Sequence, residues 1–225
     1  MKTTKTILVA TMAVLMLVGV SARAGMITDN ANVNIPVGNP LGIASTITES
    51  GLASSPIQVT VALDISGGIN GDLYGYLSYN GMIVSLLNRP GVTPYNPLGA
   101  MGSGFDVLLS DGAGYQNINT ASEASGQQFG SGLSSIYNAA GGSAAFETAF
   151  NGTVNPNGTW TLFLANELAG SPQSELVSWS LGITAVPEPV NMALGIFAGL
   201  FILAGLWRTA RVRKIFDKIA GRQAG

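Results

Sequence analysis

The stretch Ile57-Gln-Val-Thr-Val-Ala-Leu-Asp-Ile65 alternates large apolar residues with small or polar ones. A strict period of two sends Ile57, Val59, Val61, Leu63 and Ile65 to one face and Gln58, Thr60, Ala62 and Asp64 to the other. That is a half-buried β-strand and rules out a helix there. Val177, Trp179, Leu181 and Ile183 alternate with Ser178, Ser180 and Gly182 in the same manner, and Thr159 to Leu164 is a further β-rich run. Asn80-Gly81, set between Leu77-Ser-Tyr79 and Met82-Ile-Val84, predicts a tight hairpin. Long helical periodicity is missing between residues 30 and 185, and 30 glycines punctuate the chain. The middle therefore predicts an all-β fold, an antiparallel β-sandwich.

The two ends obey a different rule. Lys2 and Lys5 precede an apolar run from Ile7 to Val20, and Ala22-Arg23-Ala24 supplies small residues before Gly25. This is the layout of a secretory signal peptide spanning 1–24, cut between Ala24 and Gly25. The competing reading, an uncleaved N-terminal anchor, is disfavoured because the run is shorter than the ~20 residues a spanning helix needs. At the other end, residues 190–207 are mostly apolar and end on Trp207, predicting one C-terminal transmembrane helix. Arg208, Arg211, Arg213 and Lys214 follow, so residues 208–225 are expected on the cytoplasmic side and the main domain outside. Val186-Pro187-Glu188-Pro189 separates domain from helix, and its prolines exclude continuation of helix or strand.

The order Pro187-Glu188-Pro189, apolar helix, basic end resembles the PEP-CTERM sorting signal of Gram-negative bacteria, over roughly the last forty residues. The resemblance implies processing by an exosortase and membrane attachment through the C-terminal helix only until that cut. It also implies export through an inner-membrane intermediate, with the domain in the periplasm, to the cell surface or extracellular matrix, in company with exopolysaccharide.

Charge supports this orientation and narrows the chemistry. Between Asp29 and Glu188 one cation, Arg89, faces eleven acids, a balance of about −10. Such a surface argues against nucleic acid as a partner. The chain has no cysteine and no histidine. Disulfides, thiolate zinc sites, cysteine nucleophiles and Ser-His-Asp hydrolysis are thereby excluded. Ser103 and Ser131, each flanked by glycine, are read as loop residues.

A second resemblance lies in the middle. Gly71-Asp72-Leu73, Asn157-Gly-Thr-Trp-Thr-Leu162 and Ser178-Trp-Ser-Leu181 occur in the order found in the P domain (P/Homo B) of proprotein convertases. Phe105-Asp106 and Asp111 resemble that family's intervening acidic segment. The likeness covers roughly Asn34 to Ile183 and implies a jelly-roll-like β-sandwich for residues 25–185, followed by the sorting tail 186–225. P domains hold no catalytic machinery, and here the module is expected to stand alone.

Asp64, Asp72, Asp106 and Asp111 are the candidate ligands for Ca²⁺, since hard cations take several carboxylate and carbonyl oxygens. The plainer reading is that Asp64 and Asp72 flank a turn and bond its backbone. No cofactor is required by the expected function. Trp160 and Trp179 sit in alternating strands and are expected in the core or at its rim. Tyr74, Tyr76 and Tyr79 straddle both faces of a strand, so at least one should reach solvent, where an aromatic ring beside carboxylates suits polysaccharide. Asn151-Gly-Thr and Asn157-Gly-Thr fit the glycosylation sequon but also serve as turns. Asn117 to Gly142, rich in Gly, Ser, Ala and Gln, reads as a long surface loop with room for one short helix.

The expected function is that of a non-enzymatic exported surface or matrix protein. Two rivals stand beside it: an accessory module that binds or regulates a separate secreted protease, and a carboxylate-based hydrolase, which needs two acids converging in a cleft.

Overall fold

The computed structural model describes residues 25–52, 57–120, 125–150, 155–185, 195–205 and 208. The expected signal peptide, with Ala22 and Ala24, lies outside the described residues, as do Pro187, Glu188, Pro189, Arg211, Arg213, Lys214 and the sequon at Asn151. The chain divides into two compact units, residues 22–186 and residues 1–21 with 187–225. In the second unit residues 195–205 are helical and Arg208 is exposed. Among the described residues no helix is long and apolar enough to cross a membrane.

The larger unit is all-β, built as two sheets. Sheet 1 takes the order β1 (Met26–Asp29), β11 (Ser174–Ala185), β4 (Ile57–Gly67), β7 (Gly104–Ser110), β8 (Phe129–Gly130), with β2 (Val33–Ile35) beside β11 and β9 (Ile136–Tyr137) beside β7. Sheet 2 has the order β3 (Asn39–Glu49), β10 (Gly158–Asn166), β5 (Leu73–Tyr79), β6 (Met82–Asn88). The alternation in β4 is realised as read: Ile57, Val59, Val61, Leu63 and Ile65 are buried. They share one core with Leu77, Trp160, Leu162 and Leu164 of the other sheet. Trp160 and Trp179 are both core residues. Tyr79 stacks on Trp160 at 4.1 Å, and Phe150 meets the same indole edge-on at 4.9 Å. Phe150 comes from the short helix α1 (Ala145–Phe150).

The hairpin between β5 and β6 closes on Asn80 (φ 48°) and Gly81 (φ 78°). Two positive φ angles in a two-residue loop match the right-handed twist of the flanking strands, which is why Asn-Gly specifies it.

Two expectations need correction. The sheets are not wholly antiparallel, because β8 and β9 both pair parallel to β7. A parallel neighbour requires a connection of about a dozen residues or more, and the segment 111–128 between β7 and β8 supplies one. Nor is the segment from Asn117 to Gly142 a purely superficial loop. It contains β8, β9 and a short 3-10 turn at Ile118–Thr120, and it buries Ile118, Phe129 and Ala139. Asn117 and Asn138 hold its backbone: Asn117 Nδ2 donates to Ala139 O at 3.0 Å, and Asn138 Nδ2 to Tyr115 O at 2.7 Å. A few apolar anchors suffice where amide side chains satisfy the peptide groups. The helix forms later, at α1.

Candidate functional site

The four candidate aspartates are separated into three local arrangements. Asp64 of β4 stands directly opposite Asp106 of β7 on the outer face of sheet 1, with Ser178 of β11 on its other side. Burial raises the Asp64 carboxyl above the usual carboxylate range, and the like charge of Asp106 adds to the shift. Asp72 is buried in the 3-10 turn Asn70–Asp72, where Ser171 Oγ donates to its Oδ2 at 2.5 Å and its carbonyl accepts from Glu167 N–H at 2.8 Å. Asp111 reaches the start of α1, accepting from Phe146 N–H at 3.1 Å and Glu147 N–H at 2.6 Å. It satisfies two of the peptide donors that a helix start leaves open. Among the described residues no group of three or more His, Cys, Asp or Glu is placed to hold a metal ion. Of the four, strand pairing brings only Asp64 and Asp106 together, while Asp72 follows its turn and Asp111 reaches α1.

The turn at Asn70 carries a device invisible in the sequence. Asn70 is buried, and its amide exchanges two hydrogen bonds with Gly104, accepting from its N–H at 2.7 Å and donating to its carbonyl at 3.0 Å. The backbone continues the pattern, with Asn70 N–H on Gly102 O and Gly71 N–H on Ala100 O. One side chain thereby acts as a strand segment at the start of β7.

The outer face of sheet 2 has a different character. Register brings Tyr76 of β5 between Phe163 of β10 and Ser85 of β6. Tyr76 and Phe163 stack at 4.7 Å with planes 18° apart, and Tyr74 meets Tyr76 edge-on at 6.2 Å. All three rings are half-buried while Leu73, Leu77, Leu162 and Leu164 on the same strands turn into the core. Gly42 of β3 lies beneath Phe163; a methyl group there would stand 2.9 Å from the ring's Cζ and 2.1 Å from Leu164 O. Around the rings stand hydroxyls, including Thr161 with Thr46 and Ser78 as its register partners, and Thr159 opposite Thr48. The outward positions of β5 and β10 hold no Asp, Glu, Lys or Arg, in contrast to the Asp64–Asp106 face of sheet 1. Alternation along β5 turns Tyr74 and Tyr76 outward, but nothing local marks Phe163, which meets Tyr76 only through the pairing of β5 with β10.

No family model matches the chain, and no curated protein matches it. Among solved structures it is similar to a serine protease of Aeromonas sobria, determined alone and in complex with its chaperone. Identity is 13% and the TM-score 0.39 in both comparisons, over 72% of this chain. The match spans 27% and 26% of those chains, about a quarter of their length. At that distance neither fold detail nor activity transfers.

Proposed function

We propose that this chain is an exported, non-enzymatic surface or matrix protein that lays the outer face of sheet 2 against polysaccharide. Its leader is cut before Gly25, and its tail is a PEP-CTERM address read by an exosortase at Pro187-Glu188-Pro189. The domain between is a P-domain-like module of jelly-roll type. The observation that carries the binding reading is the uncharged platform of Tyr74, Tyr76 and Phe163 ringed by threonine and serine hydroxyls. Flat aromatic rings bury the apolar faces of sugars, and short hydroxyls exchange hydrogen bonds with theirs. Arg89 is the one Lys or Arg between residues 25 and 185, so the reading favours neutral sugar segments and a contact that salt does not weaken.

The test is retention of the purified protein on the host's extracellular polysaccharide, with Tyr76→Ser and Tyr74→Ser beside Asp106→Asn as a control on the opposite sheet. Retention is expected to fall at least about fivefold for the tyrosine variants, the size of one lost ring contact. It should stay unchanged for the control and at high salt, with melting temperatures measured for each. Equal retention of all variants, or selective capture of a secreted protease instead, would overturn it. Mass spectrometry of both termini, with and without the exosortase, tests the sorting claim; a tail intact under both conditions sinks it.

A further inference from the structure

Glu49 occupies an unusual place. It ends β3 in the same inward register as Ile47 and is only 4% exposed, where alternation alone calls for an apolar side chain. It lines a small cleft of about 60 Å³ together with Gly25, Met26, Ile27, Leu52 and Ile183. The neighbourhood has a simple geometry. Ser45 Oγ donates to the Asp29 carboxylate and accepts from Trp179 Nε1 at 2.7 Å, which ties β1 to β3 at one point. Moving four residues back along β1 reaches Gly25, and four forward along β3 reaches Glu49. Gly25 and Glu49 line the same cleft, so the two segments pass each other in opposite senses between the Ser45–Asp29 contact and the cleft.

We infer that Glu49 receives the amino terminus of the processed protein, the α-ammonium of Gly25. This rests on the reading that the leader is cut before Gly25. The juxtaposition in the cleft carries the inference, and charge gives it a sign. A carboxylate presents about four acceptor sites, so an ammonium joins whatever donors Glu49 already accepts from. Glu49 is buried while Gly25 is exposed, so the attraction is screened from the Gly25 side and exceeds its value in water only through the burial of the carboxylate. Cleavage removes Lys2, Lys5 and Arg23 and in the same step creates a new cation on a residue that lines the cleft. A Cβ built at Gly25 meets nothing within 4 Å, so the space around the residue is open to the new terminus. The device makes the folded domain sense its own processing: an extended or blocked terminus displaces or abolishes the charge that Glu49 meets.

The experiment compares the processed chain, residues 25–225, with a chain that begins one residue earlier at Ala24, each with native Glu49 and with Glu49→Gln. Unfolding equilibria are measured in detergent. The extension is expected to lower the folding equilibrium constant about tenfold with native Glu49, the size of a hydrogen bond to a charged group. In the Glu49→Gln background, with no carboxylate to lose its counter-charge, the loss should stay under about twofold. Chemical Nα-acetylation of the residue 25–225 chain should reproduce the loss without touching Glu49, which keeps the test decisive if the Glu49→Gln chain fails to fold. Equal effects of the extension in both backgrounds, or no effect of acetylation, would overturn the inference. Sequencing the exported protein separates the two layers. A terminus other than Gly25 removes the cleavage reading and the inference together, whereas Gly25 with no coupling removes the inference alone.

Discussion

Asn70→Ala removes a side chain that stands in for a piece of backbone. The Asn70 amide makes two hydrogen bonds to Gly104, at 2.7 and 3.0 Å, and both residues are buried. Truncation deprives one N–H and one C=O of those partners, and each buried polar group left without one costs about 1–3 kcal/mol. The two together come to roughly 2–6 kcal/mol, less whatever a water entering the vacated space restores. That is a large share of the ~5–15 kcal/mol that holds a typical domain. With a urea m-value of about 2 kcal/mol/M, the middle of the usual range, the midpoint should fall by roughly 1–3 M. The unfolding is followed by the fluorescence of Trp160 and Trp179, which are buried in opposite sheets. Asn70→Asp separates hydrogen bonding from size. It keeps an acceptor for Gly104 N–H but sets a carboxylate against Gly104 O. The folded state would then hold the proton more tightly than the unfolded state. Stability is therefore low above the raised folded-state pKa and returns as pH falls toward about 3.9, where the introduced carboxyl, once protonated, regains a donor. A loss under about 0.5 kcal/mol for Asn70→Ala would refute the reasoning. So would an Asn70→Asp chain as stable as the original at neutral pH.

Two further expectations concern the scattered aspartates. Asp111→Ala should cost about 1 kcal/mol, up to about 2, by leaving the Phe146 and Glu147 N–H groups without their acceptor, while Asp111→Asn should recover part of that loss; urea unfolding checks both. Asp64→Asn should stabilise the protein at neutral pH, because burial and Asp106 raise the Asp64 pKa in the folded state. The sign follows from linkage: the penalty is complete above the raised pKa and vanishes below the unfolded one, so the advantage of the asparagine variant fades as pH falls through the carboxylate range. A pH-independent advantage in parallel thermal melts would contradict that cause.

Much of the strand content was legible because it is written within a few neighbouring residues. The period of two in β4 and β11 requires only that successive side chains point to opposite faces, and Asn80-Gly81 needs only two residues that tolerate positive φ. The expectations for the chain termini come from the same kind of local record: an apolar run, its flanking charges and Pro187-Glu188-Pro189 are contiguous, and their reading needs no partner. What the local pattern lacks is any record of which segment lies beside which. The four aspartates recur along the chain as a plausible cation set, yet strand pairing joins only Asp64 to Asp106, while Asp72 turns to Ser171 and Asp111 to α1. The parallel return of β8 and β9, the meeting of Tyr76 with Phe163, and the inward Glu49 beside Gly25 are likewise products of long-range closure. Residue type and spacing alone determined the all-β character, the hairpin and the expectation of export. The aromatic platform and the carboxylate in the cleft beside Gly25 were decided only when two sheets closed over one core, because contacts between distant segments depend on packing the whole chain and on no single stretch of it.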